Sequence, residues 1–243
     1  MVIGEVMRLD QGKETVLVIP DLQIPFHHPD AFTFLKYIKD KVQPTRVVCI
    51  GDSIDSHALS DYIHNPDGYS AGHEHSTALT YLEELYNIFP NGVELDSNHN
   101  NRVFRRACAA GIPKTFLKSY KEFMNAPDGW EFETYIIIDG VMYEHGDSFT
   151  GSVAAKAAAL ANMRSTVIGH HHNTAGIHYC SNKERMLFGM NVGCLINNEA
   201  YAFEYNKKNK TQPTLSCGVV DKGVPILYPL IINEKGRWVG HYE

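Results

Sequence analysis

The sequence predicts an α/β fold, a layered sandwich in which parallel strand–helix units come first and antiparallel strands are added towards the end. Three observations predict it. Short, continuous apolar runs such as Val47-Val48-Cys49-Ile50 have the pattern of strands buried on both faces. These runs alternate with segments of helical apolar spacing, which is the pattern of βαβ units. From Met186 onward the helical spacing stops, and strand-like stretches separated by turns replace it.

Thr15 to Ile19 is the first predicted strand, and it ends in Pro20-Asp21-Leu22-Gln23. Asp30 to Lys41 follows with Phe34, Leu35 and Ile38 at helical spacing, then Pro44 and the Val47 strand. That strand stops at Gly51, and Asp52 and Asp55 sit where the chain turns. Residues 56–76 are polar, turn-rich and histidine-laden, which predicts a loop excursion near the site that serves as a substrate lid. Ala78 to Phe89 is a predicted helix, and Gly92 to Leu95 a third strand that ends in Asp96-Ser97-Asn98-His99. A basic helix begins near Asn101 with Arg102, Arg105 and Arg106, Pro113 interrupts it, and a second helical piece carries Lys114, Lys118 and Lys121.

Tyr135 to Ile138 and Val141 to Glu144 flank Asp139-Gly140, a strong hairpin signal, and the second arm ends in His145-Gly146-Asp147. Ser152 to Met163 is an alanine-rich helix that must pack closely on a sheet. Thr166 to Ile168 is a further predicted strand and ends in Gly169-His170-His171-His172. Met186 to Val192, Ala200 to Tyr205, Leu215 to Val220 and Ile226 to Ile232 form the antiparallel remainder, with Lys207, Lys208 and Lys210 as an ordinary hairpin tip. No repeat, low-complexity tract or linker divides the chain. The expectation is one domain over 1–243 with its core over about 15–232.

A chain of 243 residues with 44% hydrophobic and 21% charged residues is long enough for one well-buried α/β domain. No apolar run approaches the length of a membrane span. The start, MVIGEVMRLDQGKE, lacks a positive region followed by an apolar core, so no signal peptide is expected. Five scattered cysteines without CxxC spacing fit reduced thiols, and the expected location is cytoplasmic. The net charge of −6 gives no global reason to bind duplex DNA, while leaving room for a local basic patch.

Thirteen histidines are unevenly grouped, and histidine clusters justify a search for a metal site. The strand ends bring together Asp21 and Gln23, Asp52 and Asp55, Asn98 and His99, His145, and His170 with His172. A pair of adjacent divalent cations needs mixed nitrogen and oxygen ligands, a bridging carboxylate and open positions for water and substrate. This set supplies them. Plainer readings stand beside it. Asp55 caps a helix, Asn98 stabilises a turn, His145 is a satisfied core histidine, and His171 points away from its neighbours. His73-Glu74-His75 lacks the framework of a separate zinc site. His57 and His64 are loop residues placed to touch substrate if the lid closes, and His27 and His28, soon after the first candidate ligands, carry the same two readings. The Arg102, Arg105, Arg106 cluster is a solvated helix face by default, and its place after His99 suits it to hold phosphate.

With these residues in view, the chain resembles the calcineurin-like metallophosphoesterases, whose motifs DxH, GDxxD, GNH[DE], H and GHxH each follow a strand. They stand here as Asp21-Leu22-Gln23, Gly51-Asp52-Ser53-Ile54-Asp55, Ser97-Asn98-His99-Asn100, His145-Gly146 and Gly169-His170-His171-His172, in order between about Val16 and Asn191. The resemblance implies an α-β-β-α sandwich of mixed sheets and two divalent cations. Asp21, Gln23, Asp52 and His172 would hold the first; Asp52, Asn98, His145 and His170 the second. Asp52 and His99 would be catalytic, and Asn98, His99 and Arg102 would bind substrate. The implied reaction is in-line attack by metal-generated hydroxide on a phosphate ester, with a diester favoured because His99 can protonate a poor leaving group.

Two departures matter. Gln23 replaces the family's usual His with a neutral oxygen ligand, which tilts the first site towards Mn²⁺ over Fe, Zn, Ni or Co. Asn100 stands where an acid usually orients the catalytic His, so His99 is expected to lose a partner. Ser97 also replaces the usual Gly. The compact length looks most like the small stand-alone enzymes of phages and bacteria. Other readings remain open: a nuclease similar to the catalytic subunit of double-strand-break repair nucleases, acting on DNA or RNA; a phosphomonoesterase; and a non-catalytic scaffold. The expected partner is a phosphate-ester substrate, a small molecule or nucleotide, with nucleic acid as the alternative and no membrane.

Overall fold

The structure, a computed structural model, describes residues 12–61, 68–197, 199–200 and 211–240. The predicted strand at Ala200 to Tyr205, the Lys207, Lys208 and Lys210 tip, and His64 lie outside the described residues, in whole or in all but one residue.

Two mixed sheets face each other. In the first, β1 (Thr15–Ile19), β2 (Arg46–Cys49), β3 (Gly92–Leu95) and β4 (Trp130–Glu133) run parallel. The antiparallel strands β10 (Ser216–Asp221) and β11 (Val224–Pro229) continue that sheet beyond β1. The second has the order β5–β6–β7–β9–β8, with β5 (Tyr135–Ile138), β6 (Val141–Glu144), β7 (Thr166–Ile168), β8 (Gly176–Ser181) and β9 (Met186–Asn191). β6, β7 and β9 are parallel, and both edges of the sheet are antiparallel.

The alternation within β1 explains the layering. Val16 and Val18 face the second sheet and pack among Val48, Val93, Tyr143, Val167 and Met190. Leu17 and Ile19 face the other way, against α1 (Ala31–Val42) and α2 (Ala71–Ile88), through Phe34, Leu35, Ile38, Ala78, Leu82 and Leu85. A strand covered on both sides has to be apolar throughout, which is why it was legible. On the outer face of the second sheet lies α5 (Ala154–Ala161), shorter than the predicted Ser152–Met163. Its alanines allow close approach: a Cβ on Gly189 of β9 would fall 2.0 Å from the Ala155 carbonyl oxygen. The order helix, sheet, sheet, helix is the predicted α-β-β-α sandwich.

Four departures from expectation have physical reasons. The excursion at 56–76 ends early, because α2 starts at Ala71 with Ser70 accepting the His73 amide. Its first buried position is Glu74, which accepts the His57 and Ala58 amides at 2.6 and 2.9 Å. A hydrophobic stripe that opens on a carboxylate hides the first two turns. Strands β4 and β8 were missed, and both are sheet edges in which polar residues interleave with Trp130 and Phe132, or with Ile177 and Tyr179. The helical piece after Pro113 is a 3₁₀ turn at Lys114–Phe116 followed by α4 (Tyr120–Phe123), which a Ser119–Glu122 capping box starts. The Asp139-Gly140 hairpin forms as expected, both residues in the left-handed region.

Candidate metal centre

The parallel strands β1, β2, β3, β6 and β7 all deliver their carboxyl ends to one edge of the sandwich. Asp21 and Gln23 follow β1, Asp52 and Asp55 follow β2, Asn98 and His99 follow β3, His145 follows β6, and His170 and His172 follow β7. Backbone conformation at this edge is unusual. Gln23 (φ 47°), Asp52 (φ 50°) and His170 (φ 64°) occupy the left-handed region, next to Gly51 at φ 107°. Non-glycine residues in that region cluster where surrounding structure over-determines a functional geometry. Gly169 permits the tightest approach, since a Cβ there would lie 2.3 Å from Asp21 Oδ1.

Among the described residues, two groups of three ionisable side chains converge with donor atoms within 4.8 Å of one another: Asp52, His145 and His170, and Asp21, Asp52 and His172. Asp52 belongs to both. In the first group the His145 Nδ1–H donates to the Ile50 carbonyl at 3.1 Å, which fixes the tautomer and turns Nε2 inward. That nitrogen lies 2.8 Å from Asn98 Oδ1, 3.2 Å from His170 Nδ1 and 3.4 Å from Asp52 Oδ2. Four donor atoms at such separations match the edges of a coordination shell with bonds of about 2.0–2.2 Å. In the second group His172 Nε2 is 2.9 Å from Asp21 Oδ2. Gln23 Nε2 is 3.4 Å from His172 Nε2, and its Oε1 is buried without a partner. An amide rotation would bring that oxygen to the same point. The residues therefore fit a pair of cations sharing the Asp52 carboxylate.

Electrostatics point the same way. Burial opposes ionisation of Asp52, yet the His145 and His99 rings beside it hold its carboxyl well below the usual range. Burial also opposes charge on His145, but Asp52 outweighs it and raises the ring to about 10. The pull that retains a proton there is the pull that would retain a cation. His170 is lowered by burial and by the charge on His145.

His99 stands at the rim of both groups. Its Nδ1 lies 2.8 Å from Asp55 Oδ1, and Arg102 Nη1 lies 2.8 Å from the same oxygen. Arg102 Nη2 is 3.0 Å from His99 Nε2, while the His99 amide donates to Asp52 Oδ1 at 2.9 Å. Two expectations are corrected here. Asp55 is no helix cap but the acid that orients His99, so His99 keeps a carboxylate partner despite Asn100. Asn100 instead donates through Nδ2 to Glu94 Oε1 at 2.7 Å, while the Ser53 hydroxyl donates to Glu94 Oε2 at 2.7 Å. Glu94, buried on β3, thus ties the Asp52 loop to the His99 loop. The second acid of Gly51-Asp52-Ser53-Ile54-Asp55 was the signal for Asp55; nothing local marked Glu94. Ser97 accepts the Asp52 amide through its hydroxyl at 2.8 Å, a contact glycine cannot make.

The remaining candidates take other roles. His171 does not join either group. His73 and His75 form no metal group among the described residues; His75 stacks on Phe123, with its Nε2 2.9 Å from the Phe123 carbonyl oxygen. His27 packs against Phe32 and Tyr81, and burial lowers it to about 4. His28 lies 3.1 Å from the Gly236 carbonyl oxygen. Arg106 is held by the Leu59 and Ser60 carbonyls and by Asp61, and Arg105 is exposed. One position unmarked in the sequence is Asn191, whose amide holds the His171 carbonyl at 3.1 Å and so braces the Gly169–His172 turn.

Fold and site together describe a layered α/β protein with two adjoining candidate cation positions on one sheet edge, an arrangement that resembles the calcineurin-like metallophosphoesterases. The sequence matches no family model and no curated protein. Among solved structures, Yfce, a phosphoesterase from E. coli, is 12% identical, with 85% of this chain and 88% of that one covered and a TM-score of 0.42. Vacuolar protein sorting 29 from Cryptosporidium parvum is 16% identical, with 90% and 97% covered and a TM-score of 0.42. A metallophosphoesterase from Sphaerobacter thermophilus is 12% identical, with 90% and 88% covered and a TM-score of 0.43. No helix among the described residues is long and apolar enough to cross a membrane.

Proposed function

We propose that this protein is a metal-dependent phosphoesterase that hydrolyses phosphodiesters by direct attack of water. The observation that carries the reading is the sharing of Asp52 between two donor groups, one completed by Asn98, His145 and His170 and the other by Asp21, His172 and Gln23. Two divalent cations, with Mn²⁺ favoured by the oxygen-rich first group, would supply Lewis-acid polarisation of the phosphoryl oxygens and a water acidic enough to react at neutral pH.

The chain's own residues do the rest. Asp52, ionised and buried, belongs to both donor groups and would be a ligand common to the two cations. His145 is locked by the Ile50 carbonyl, so its inward nitrogen needs no reorganisation. His99 is oriented by Asp55, and Asp52 and Asp55 outweigh burial to raise its pKa, which favours the form that carries a proton on Nε2. That proton would go to the leaving oxygen as the P–O bond breaks, while water adds to phosphorus and releases its own proton to solvent. Arg102, which now meets His99 Nε2, donates to a phosphoryl oxygen when substrate arrives.

The test is hydrolysis of bis-p-nitrophenyl phosphate and p-nitrophenyl phosphate with added Mn²⁺ by the wild type and Asp52→Ala. Diester turnover abolished by the substitution supports the reading. Preference for the monoester overturns the diester assignment, and absence of metal-dependent turnover of both esters overturns the enzyme.

A further inference from the structure

Charge is segregated in this chain. Between Ser97 and Lys121 it carries six Lys and Arg and no Asp or Glu, although the whole has a net charge of −6. This stretch joins β3 to β4. Its helix α3 (Arg102–Ala109) starts three residues after His99 and leads outward over about 12 Å. Arg105 lies one helical turn from Arg102 on the same face, is exposed, and makes no side-chain hydrogen bond or ion pair among the described residues. Beyond it stands Phe116, 80% exposed, with exposed Lys114 and Lys118 two positions to either side.

Phe116 thus presents a ring face to solvent between two cations. The segment that presents it is built rather than slack. Phe104 is buried beneath it and meets Tyr120 edge-on at 4.5 Å, Lys114 lies over the Phe104 ring at 5.1 Å, and the Ser119–Glu122 capping box fixes the return.

Resting on the phosphodiesterase reading above, we propose that the β3–β4 excursion binds single-stranded polynucleotide and leads its backbone to the His99 end of the site. The cations follow directly on His99 and Arg102 in the chain, so a ligand that meets them beyond a scissile phosphate at His99 would carry further phosphates. Arg105, Lys114 and Lys118 meet the backbone, and Phe116 stacks on an unpaired base, the combination used to hold single strands without reading sequence. A duplex offers no free base face to Phe116.

The experiment is fluorescence anisotropy of the full chain with a labelled oligothymidylate of about 15 nucleotides, in EDTA so that nothing is cleaved. Its duplex with oligoadenylate and vesicles of anionic phospholipid serve as competitors. The expected result is binding that weakens steeply with salt and is not displaced by duplex or vesicles at equal phosphate. Phe116→Ala should loosen it about tenfold, Lys114→Glu with Lys118→Glu should flatten the salt dependence, and Lys36→Glu on the distant α1 face should change neither. Absence of single-strand binding, displacement by vesicles, or indifference to Phe116→Ala overturns the inference. Parallel turnover of bis-p-nitrophenyl phosphate with Mn²⁺ keeps the two readings apart. Turnover without strand binding sinks only this surface, and strand binding without turnover sinks only the catalytic assignment.

Discussion

Asp55 Oδ1 lies 2.8 Å from His99 Nδ1, and Arg102 reaches that same oxygen at the same distance. The carboxylate is fully enclosed; burial works against its charge, but His99 and Arg102 hold it below the usual range. An acid fixed this way sets the ring's orientation and supports a proton on its far nitrogen.

It follows that Asp55→Asn should lower kcat more than it changes KM, by about a hundredfold for a diester with an alkyl leaving group. A p-nitrophenyl leaving group needs little protonation, so its loss should be about tenfold smaller. Comparing the two esters at saturating Mn²⁺ checks this; equal losses would mean that Asp55 only holds the loop together.

Glu94 predicts a stability effect with a definite pH sign. Burial raises it to about 7, against which its bonds to Ser53 and Asn100 pull down. A carboxyl whose folded pKa lies above its unfolded value near 4.5 binds more protons when folded, so its contribution to stability declines as pH rises from about 4.5 to 7. Glu94→Gln should flatten that part of the stability–pH curve, and Glu94→Ala, which strands two buried donors, should cost about 3 kcal/mol. Urea unfolding between pH 4 and 8 measures both.

Gly169→Ala should weaken metal binding at the first position, because the added Cβ meets Asp21 Oδ1 at 2.3 Å and Ile50 Cγ2 at 2.5 Å. Calorimetric Mn²⁺ titration should show at least about a tenfold loss in one of the two affinities, if the strain at Asp21 exceeds about 1.4 kcal/mol. The fold should survive, since the clash falls on a loop rather than a strand.

Gln23 occupies a left-handed backbone position that histidine tolerates better than branched residues. Gln23→His should therefore fold and shift preference from Mn²⁺ towards Zn²⁺ by about tenfold, as an imidazole replaces a neutral oxygen. Competition between the two ions reads the shift directly. Gln23→Leu should weaken both.

What the sequence made legible follows from burial. β1 and β2 carry unbroken apolar runs, Val16 to Ile19 and Val47 to Ile50, and each leads into a turn that holds a carboxylate. Asp21, Asp52 and His170 are the first polar residues after their strands, whereas Asn98, His145, His172 and Gln23 stood out only through the ordered motifs of the resemblance. Edge strands β4 and β8 are half exposed and lost that contrast. His99 was expected to lack an acid partner because the acid comes from a different strand end, forty-four residues earlier in the chain. Glu94 was invisible for a related reason: a lone carboxylate inside an apolar strand shows its purpose only when Ser53 and Asn100 are seen to donate to it.

The claim on which the rest depends is that Asp52 bridges two cations. Electron paramagnetic resonance of the metal-free chain titrated with Mn²⁺ tests it most directly. The account predicts uptake of two ions and an exchange-coupled multiline spectrum that Asp52→Asn removes. Uptake of a single ion with an isolated six-line spectrum, unchanged in Asp52→Asn, would contradict it.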